Sequence, residues 1–179
     1  MRIITGNLRW RNIEAPNGKG VRPTGDKVKG SIFNIIRPFI DGSICLDLFA
    51  GSGNLGLEAI SSGADKCYFV DNSRESIKYI HKNVESCNVS DKSVIICSGY
   101  ERALKKIGEK VDIIFIDPPY YGNLYIDSIS RIDFLDLLSD DGIIIAEHDS
   151  DIELPEIIAS FNKFKEKKYG RVMVSFYKK

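Results

Sequence analysis

A chain of 179 residues, 43% of them hydrophobic, is long enough for one enzyme-sized domain with a sizeable core. No run approaches the roughly 18 consecutive apolar residues of a membrane span, and Met1-Arg2-Ile3-Ile4-Thr5-Gly6 is too short in apolar residues for a secretory signal, so a cytoplasmic protein without a membrane partner is expected. The 25 basic and 25 acidic residues cancel, but unevenly: residues 1–40 hold Arg2, Arg9, Arg11, Lys19, Arg22, Lys27, Lys29 and Arg37 against Glu14 and Asp26, an excess of six that the remainder must offset.

Residues 2–5 and 11–15 read as two short strands joined through Gly6-Asn7, a hairpin. Trp10, flanked by Arg9 and Arg11, can stack on an unpaired base while its neighbours hold the backbone; it could equally plug a hydrophobic gap under the hairpin. The basic arm suits nucleic-acid phosphates, with a solvated basic face as the bland alternative. Pro16-Asn17-Gly18-Lys19-Gly20 is a turn, after which Thr24 or Asp26 can cap a helix with Val28, Ile32, Ile35 and Ile36 on one face. Pro38 and Asp41-Gly42 then divide the chain into a basic extension, 1–40, and a core, 41–179.

In the core, strand patterns at 43–48, 66–70, 93–97, 112–116 and 142–147 alternate with helices, which predicts an α/β fold with a parallel sheet covered on both faces. Residues 164–169 and 171–177, joined around Gly170, read as a closing hairpin. Such sheets bind ligands beyond the carboxyl ends of their strands, where Asp47, Asp71, Gly99 and Asp117 fall. Cys45, Cys67 and Cys97 lie in or beside predicted buried strands. With Cys87 they form no C-x-x-C pair and have only His81 and His148 to join them, so reduced core thiols are expected and no metal site.

Gly51-Ser52-Gly53-Asn54-Leu55-Gly56 matches G-x-G-x-x-G, and Asp71 follows at the spacing of an acid that accepts ribose hydroxyls. Taken literally this is a nicotinamide or flavin fingerprint. Asp47 argues against it, since a carboxylate beside the glycine turn opposes a pyrophosphate but can pair with an ammonium; it could instead be a structural acid bonded to loop amides. Asp117-Pro118-Pro119-Tyr120, at the end of the apolar run 111–116, forms a planar slot of acceptors. An exocyclic amine can donate to the Asp117 side chain and the Pro118 carbonyl while its ring lies on Tyr120. Tyr121, Gly122 and Asn123 read as a lid.

The stretch 47–56 resembles the first motif of class I S-adenosylmethionine-dependent methyltransferases, and 117–120 the D/N/S-P-P-Y/F/W motif of those that methylate amines. Met1 to Gly6, Arg22-Pro23-Thr24-Gly25-Asp26-Lys27-Val28-Lys29 and Ile32-Phe33-Asn34 are similar to the opening of the RsmD family of 16S ribosomal RNA (guanine-N2)-methyltransferases. Gly30 departs from that family's common acid, and Ser98-Gly99-Tyr100 from its adenine-reading Asn or Asp. The resemblance implies a Rossmann-like class I methyltransferase fold: a mostly parallel sheet with a C-terminal antiparallel hairpin, plus the N-terminal hairpin and helix. It implies S-adenosyl-L-methionine held by Asp47, Phe49, Gly51, Ser52, Gly53, Leu55, Gly56, Asp71, Asn72, Gly99, Tyr100 and Asp117. It implies catalysis by Asp117, Pro118, Pro119 and Tyr120, and RNA contacts from Arg2, Arg9, Trp10, Arg11, Arg22, Thr24 and Lys27. The expected activity is methyl transfer to a guanine 2-amino group of 16S ribosomal RNA, within the small ribosomal subunit, by a monomer. A DNA adenine or protein glutamine amine, a noncatalytic ribosomal RNA-binding assembly factor, and a nicotinamide oxidoreductase are the alternatives; the small size leaves the last no substrate domain.

Overall fold

The strand-forming runs all enter one sheet in a computed structural model that describes residues 1–15, 25–119 and 123–179. Strands β1 (Ile44–Asp47), β2 (Lys66–Asp71), β3 (Ser93–Cys97), β4 (Val111–Ile116) and β5 (Leu138–Asp149) are parallel, and β6 (Ile157–Ile158), β7 (Phe161–Tyr169) and β8 (Val172–Lys178) complete the sheet antiparallel to their neighbours. Their order is β3-β2-β1-β4-β5-β8-β7-β6. Strand order therefore reverses between β1 and β4, and the loops that follow these two neighbours open side by side.

Alternating side chains along each strand feed two apolar layers. Cys45, Phe69, Ile113, Phe115 and Phe176 pack with α1 (Asp26–Ile40), α2 (Asn54–Ser61) and α3 (Arg74–Ser86) on one face. Leu46, Val70, Ile114, Ile116 and Tyr177 pack with α4 (Tyr100–Leu104) and α5 (Asn123–Phe134) on the other. This is the α/β sheet, with its C-terminal antiparallel hairpin, that the alternation predicts.

Several local expectations need correction. The N-terminal arm is not a pair of strands: its pairing shrinks to one antiparallel bridge, Arg2 with Asn12, supported by Ile13 N to Met1 O at 2.8 Å and Trp10 N to Ile3 O at 2.8 Å. The ladder stops because the Ile4 and Thr5 amides donate to Glu58, at 3.0 and 2.6 Å, and Trp10 adopts φ 74°. Helix α1 is preceded by Gly25 without a side-chain cap; Asp26 lies inside the first turn and accepts from Arg2 Nε at 2.9 Å. Thr24 and the turn at 16–20 lie outside the described residues. The helix also runs through Pro38 to Ile40, whose carbonyl accepts from the amide and hydroxyl of Ser43 at 3.1 and 2.7 Å. Strand β5 starts earlier than its apolar run because Ser139-Asp140-Asp141 continue as extended backbone, with a register shift between Val111 and Ile113. Cys97 is exposed rather than buried, since β3 is the sheet's outer strand; Cys45, Cys67 and Cys87 are buried free thiols, and burial pushes the Cys45 thiol up to about 12.

The arm is welded to the core through Glu58, a charge on a fully buried helix. Its carboxylate meets Lys29 Nζ of α1 at 2.7 Å, both side chains being excluded from solvent. Lys29 spends its remaining donors on the Arg2 carbonyl (2.6 Å) and Asn54 Oδ1 (2.8 Å). Gly6 completes the joint: it has φ 69°, and a Cβ there would sit 1.6 Å from the Ser61 carbonyl oxygen. Removing one member of a buried pair strands the other charge, at a cost of about 3–5 kcal/mol. Glu58→Ala is expected to lose that much in urea denaturation, and a loss under about 1 kcal/mol would show that the joint does not organise the fold.

Candidate active site

The glycine turn is built by hydrogen bonds that use the two motif acids as scaffolding. Gly51 lies in the left-handed region and donates its amide to Asp71 Oδ2 at 2.8 Å, while Asp71 Oδ1 accepts from Ser73 N at 2.8 Å. Each oxygen keeps a lone-pair direction, so a diol can still be held. Asp47 is buried, and its Oδ2 accepts from Gly56 N at 2.9 Å. Of the two readings of Asp47, the geometry shows the bond to a loop amide. Gly56 permits close helix-to-sheet contact: a Cβ there would lie 2.3 Å from the Phe69 ring and 2.7 Å from Cys67 Sγ. At Gly51 and Gly99, by contrast, a Cβ would meet nothing within 4 Å, so both loops turn bare backbone toward open space.

Beyond the strand ends lies a cavity of about 430 Å³, within the usual range of small-molecule sites. Phe49 comes to it from β1, Asp71 and Asn72 from β2, Ser98 and Tyr100 from β3, Asp117, Pro118 and Pro119 from β4. Asp47, Gly51, Ser52, Gly53, Leu55, Gly56 and Gly99 are not part of the wall; they shape the loops behind it. Tyr120, Tyr121 and Gly122 lie outside the described residues. The Phe49 and Tyr100 rings form an aromatic corner, centroids 5.5 Å apart and tilted by 45°. Tyr100 donates its hydroxyl to Asp127 at 2.5 Å; burial first, and then this bond, push the phenol up to about 12. Asp127 is held low chiefly by Arg131 at 2.6 Å, and Arg131 also meets Glu101 at 2.9 Å, so α4 and α5 are fastened together beside Tyr100.

The electrostatics are those of a cation site. Burial first, then the neighbouring Glu147 and Asp47, push the Asp117 carboxyl well above the ordinary carboxylate range. Asp47 itself is raised from 3.8 to about 7, by burial above all, with a further push from Asp71 against the pull of the Gly56 amide. A bound positive charge would relieve this crowding.

On the arm, Arg2, Arg9, Trp10, Arg11 and Lys27 are exposed. Trp10 is 59% exposed and so does not plug a gap; the Arg2 and Arg9 guanidinium carbons lie 5.0 and 4.6 Å from its ring centre. Arg11 is engaged with the Ser86 carbonyl at 3.1 Å, closing the end of α3. Arg22, like Thr24, lies outside the described residues.

Residues 1–178 match the family described as Conserved hypothetical protein 95. The chain belongs to this family, the RsmD family. YlbH of Bacillus subtilis (strain 168), provisionally named an rRNA methyltransferase, is 40% identical over 182 residues, covering 100% of this chain and 99% of its own. "Ribosomal RNA small subunit methyltransferase D" of Escherichia coli (strain K12) is 32% identical over 179 residues, covering 100% and 90%. The solved structure of yhhF from Escherichia coli, provisionally named a methyltransferase, superposes with a TM-score of 0.88 at 32% identity, covering 99% and 96%. In this RsmD-family chain the sheet is thus the Rossmann-like methyltransferase fold that the motifs imply.

Sequence reasoning missed the β5 side of the cavity. Glu147, His148 and Asp149 line it, with Arg171 and Val172 from the turn before β8. His148 Nε2 lies 2.9 Å from Ser175 Oγ, and burial holds the imidazole below its ordinary range. The strand-end rule that picks out Asp47, Asp71 and Asp117 also applies to Glu147, and would have found it.

The raised acids set a pH dependence of stability. Because Asp47 binds its proton more tightly in the folded state, its contribution is most favourable below about 4 and is lost as pH rises through about 7. Asp47→Asn keeps an acceptor for the Gly56 amide and removes the titration. Between pH 5 and pH 8 urea denaturation should therefore show the variant losing about 3 kcal/mol less than the native protein. Parallel declines would place the responsible group elsewhere.

Proposed function

We propose that this protein transfers a methyl group from S-adenosyl-L-methionine to the exocyclic 2-amino group of a guanine in 16S ribosomal RNA, as a cytoplasmic monomer acting on the small ribosomal subunit. The carrying observation is that the Asp47 and Asp117 loops open onto one cavity whose wall includes Asp71, Asp117 and Glu147. The relatives named for ribosomal RNA and small-subunit methylation support the substrate class.

The residues fit the cofactor's chemistry. Its ribose diol suits the fixed Asp71 oxygens, its flat adenine suits the Phe49 and Tyr100 corner, and its positive centres suit the acidic wall. When bound, S-adenosylmethionine supplies a methyl group on a cationic sulfur. Asp117 and the Pro118 carbonyl then accept the hydrogens of the guanine amine and turn its lone pair toward that carbon, which is where positioning supplies much of the rate. Asp117 offsets the positive charge that grows on nitrogen. Its raised affinity for protons also equips it to take the one that must leave. The target base has to be unpaired or extruded to enter. Trp10, exposed beside the Arg2 and Arg9 guanidinium groups, is the stacking platform of an RNA-binding arm that includes Arg2, Arg9, Arg11 and Lys27, with Arg22 and Thr24 by resemblance.

The test is methyl transfer from labelled cofactor to small subunits lacking the modification, followed by nucleoside analysis. Label should appear in N2-methylguanosine, Asp117→Ala should lower kcat about 100-fold or more, and Trp10→Ala should raise KM at unchanged kcat. Label in N6-methyladenosine would replace the substrate assignment; no transfer to any acceptor would favour an assembly factor.

A further inference from the structure

The balance of charge hides a second basic surface. Residues 161–179 carry Lys163, Lys165, Lys167, Lys168, Arg171, Lys178 and Lys179 against the single acid Glu166, an excess of six as large as that of the N-terminal arm. Some of these charges are spent locally. Lys163 turns inward to Glu156 and Glu166, at 2.9 and 3.0 Å, Lys179 meets Asp136 and Asp140, and Lys178 lies over the Phe164 ring. Lys165, Lys167 and Lys168 are exposed on β7 and have no ion-pair partner among the described residues.

Strand β7 has β8 on one side; on the other, β6 pairs only with Asn162 and Phe161. The lysines thus stand on an open sheet edge, where charge discourages strand-to-strand association. That role needs no particular sign and no particular end point. Here Glu166 is answered by Lys163 at 3.0 Å and the remaining charges are all positive, and the strip has an end: β7 turns at Gly170 into Arg171 and Val172, which line the cavity. The turn is pinned there by Ser150 N donating to the Arg171 carbonyl at 2.8 Å. From Tyr169, where β7 ends, back to Lys165 the strand covers roughly 13 Å, enough for several phosphates at about 3.4 Å per nucleotide of a stacked strand.

The cavity's own charge calls for such a strip. A wall of Asp71, Asp117 and Glu147 attracts a cation and repels phosphate, so a nucleotide can offer its neutral base only if its anionic backbone is held outside by opposite charge. We propose that Lys165, Lys167 and Lys168, with Arg171 at the cavity mouth, hold the phosphate backbone that flanks the target nucleotide, as a second RNA contact besides the N-terminal arm. This rests on the RNA-methyltransferase reading.

The experiment compares the native protein with Lys165→Glu/Lys167→Glu/Lys168→Glu, whose exposed side chains leave the core untouched and whose melting temperature checks the fold. Binding to a 16S ribosomal RNA transcript is titrated across a range of salt, and methylation of unmodified small subunits is followed in parallel. The variant should bind the transcript at least 10-fold more weakly, with a log–log salt slope shallower by about 2, and should show a raised KM at unchanged kcat. An unchanged affinity and slope would overturn the lysine strip whatever the activity. Absence of methylation by the native protein would instead overturn the proposed function, while the binding slope still decides the strip.

Discussion

The buried pair of Lys29 and Glu58 is the constraint on which the rest of the molecule depends. Such pairs add little net stability, because desolvation offsets their attraction, but they tolerate very few arrangements of their neighbours. Here the neighbours are the arm, α1 and α2: Glu58 takes the Ile4 and Thr5 amides, and Lys29 takes the Arg2 carbonyl and Asn54, the first residue of α2. Asn83 repeats the device from α3, donating to the Glu14 and Ser52 carbonyls at 2.8 and 2.9 Å and accepting from Glu14 N at 2.9 Å. The proposed RNA arm and the glycine turn are thereby set in one rigid frame, so a nucleic acid gripped by one is presented to the other without a hinge.

Within that frame the cavity is kept in electrostatic tension. Asp47 and Asp117 are raised by burial above all, with Asp71 adding to the push on Asp47, and Glu147 and Asp47 to that on Asp117. A fold selected for stability alone would place neutral side chains there. Retaining acids makes sense where a positive charge must be received, as the proposed reaction requires, because an arriving cation favours the ionised carboxylates that burial disfavours.

How much of this was legible depended on how local its cause is. Strand ends marked by Asp47, Asp71 and Asp117 could be read directly, since an acid after an apolar run is a local pattern. Glu147 has the same pattern but no accompanying motif, and escaped notice. Lys29 sits in a helix pattern as an ordinary solvated lysine; its burial follows from Glu58, some thirty residues on in the chain, which no periodicity reports. The arm read as a hairpin because its residues suit strands, yet its amides were claimed by a distant carboxylate. Cys97 has the apolar surroundings of a core thiol and lost that place only because β3 became the outer strand.

The charge distribution shows the same lesson at a larger scale and bears on the substrate. A net charge of zero conceals two basic ends and an acidic middle. The fold brings the ends to one side: Ile3 and Ile13 of the arm and Val172 and Tyr169 of the closing hairpin pack into the same apolar layer, and the Ser31 and Tyr169 hydroxyls bond across it. Two separated basic surfaces bordering one layer, with an acid-lined cavity reached from the hairpin turn, match a polymer that is anionic along its length and neutral at the group that reacts. A lone glutamine side chain on a protein would leave both basic surfaces without a purpose, which is the physical reason to rank a nucleic acid above it.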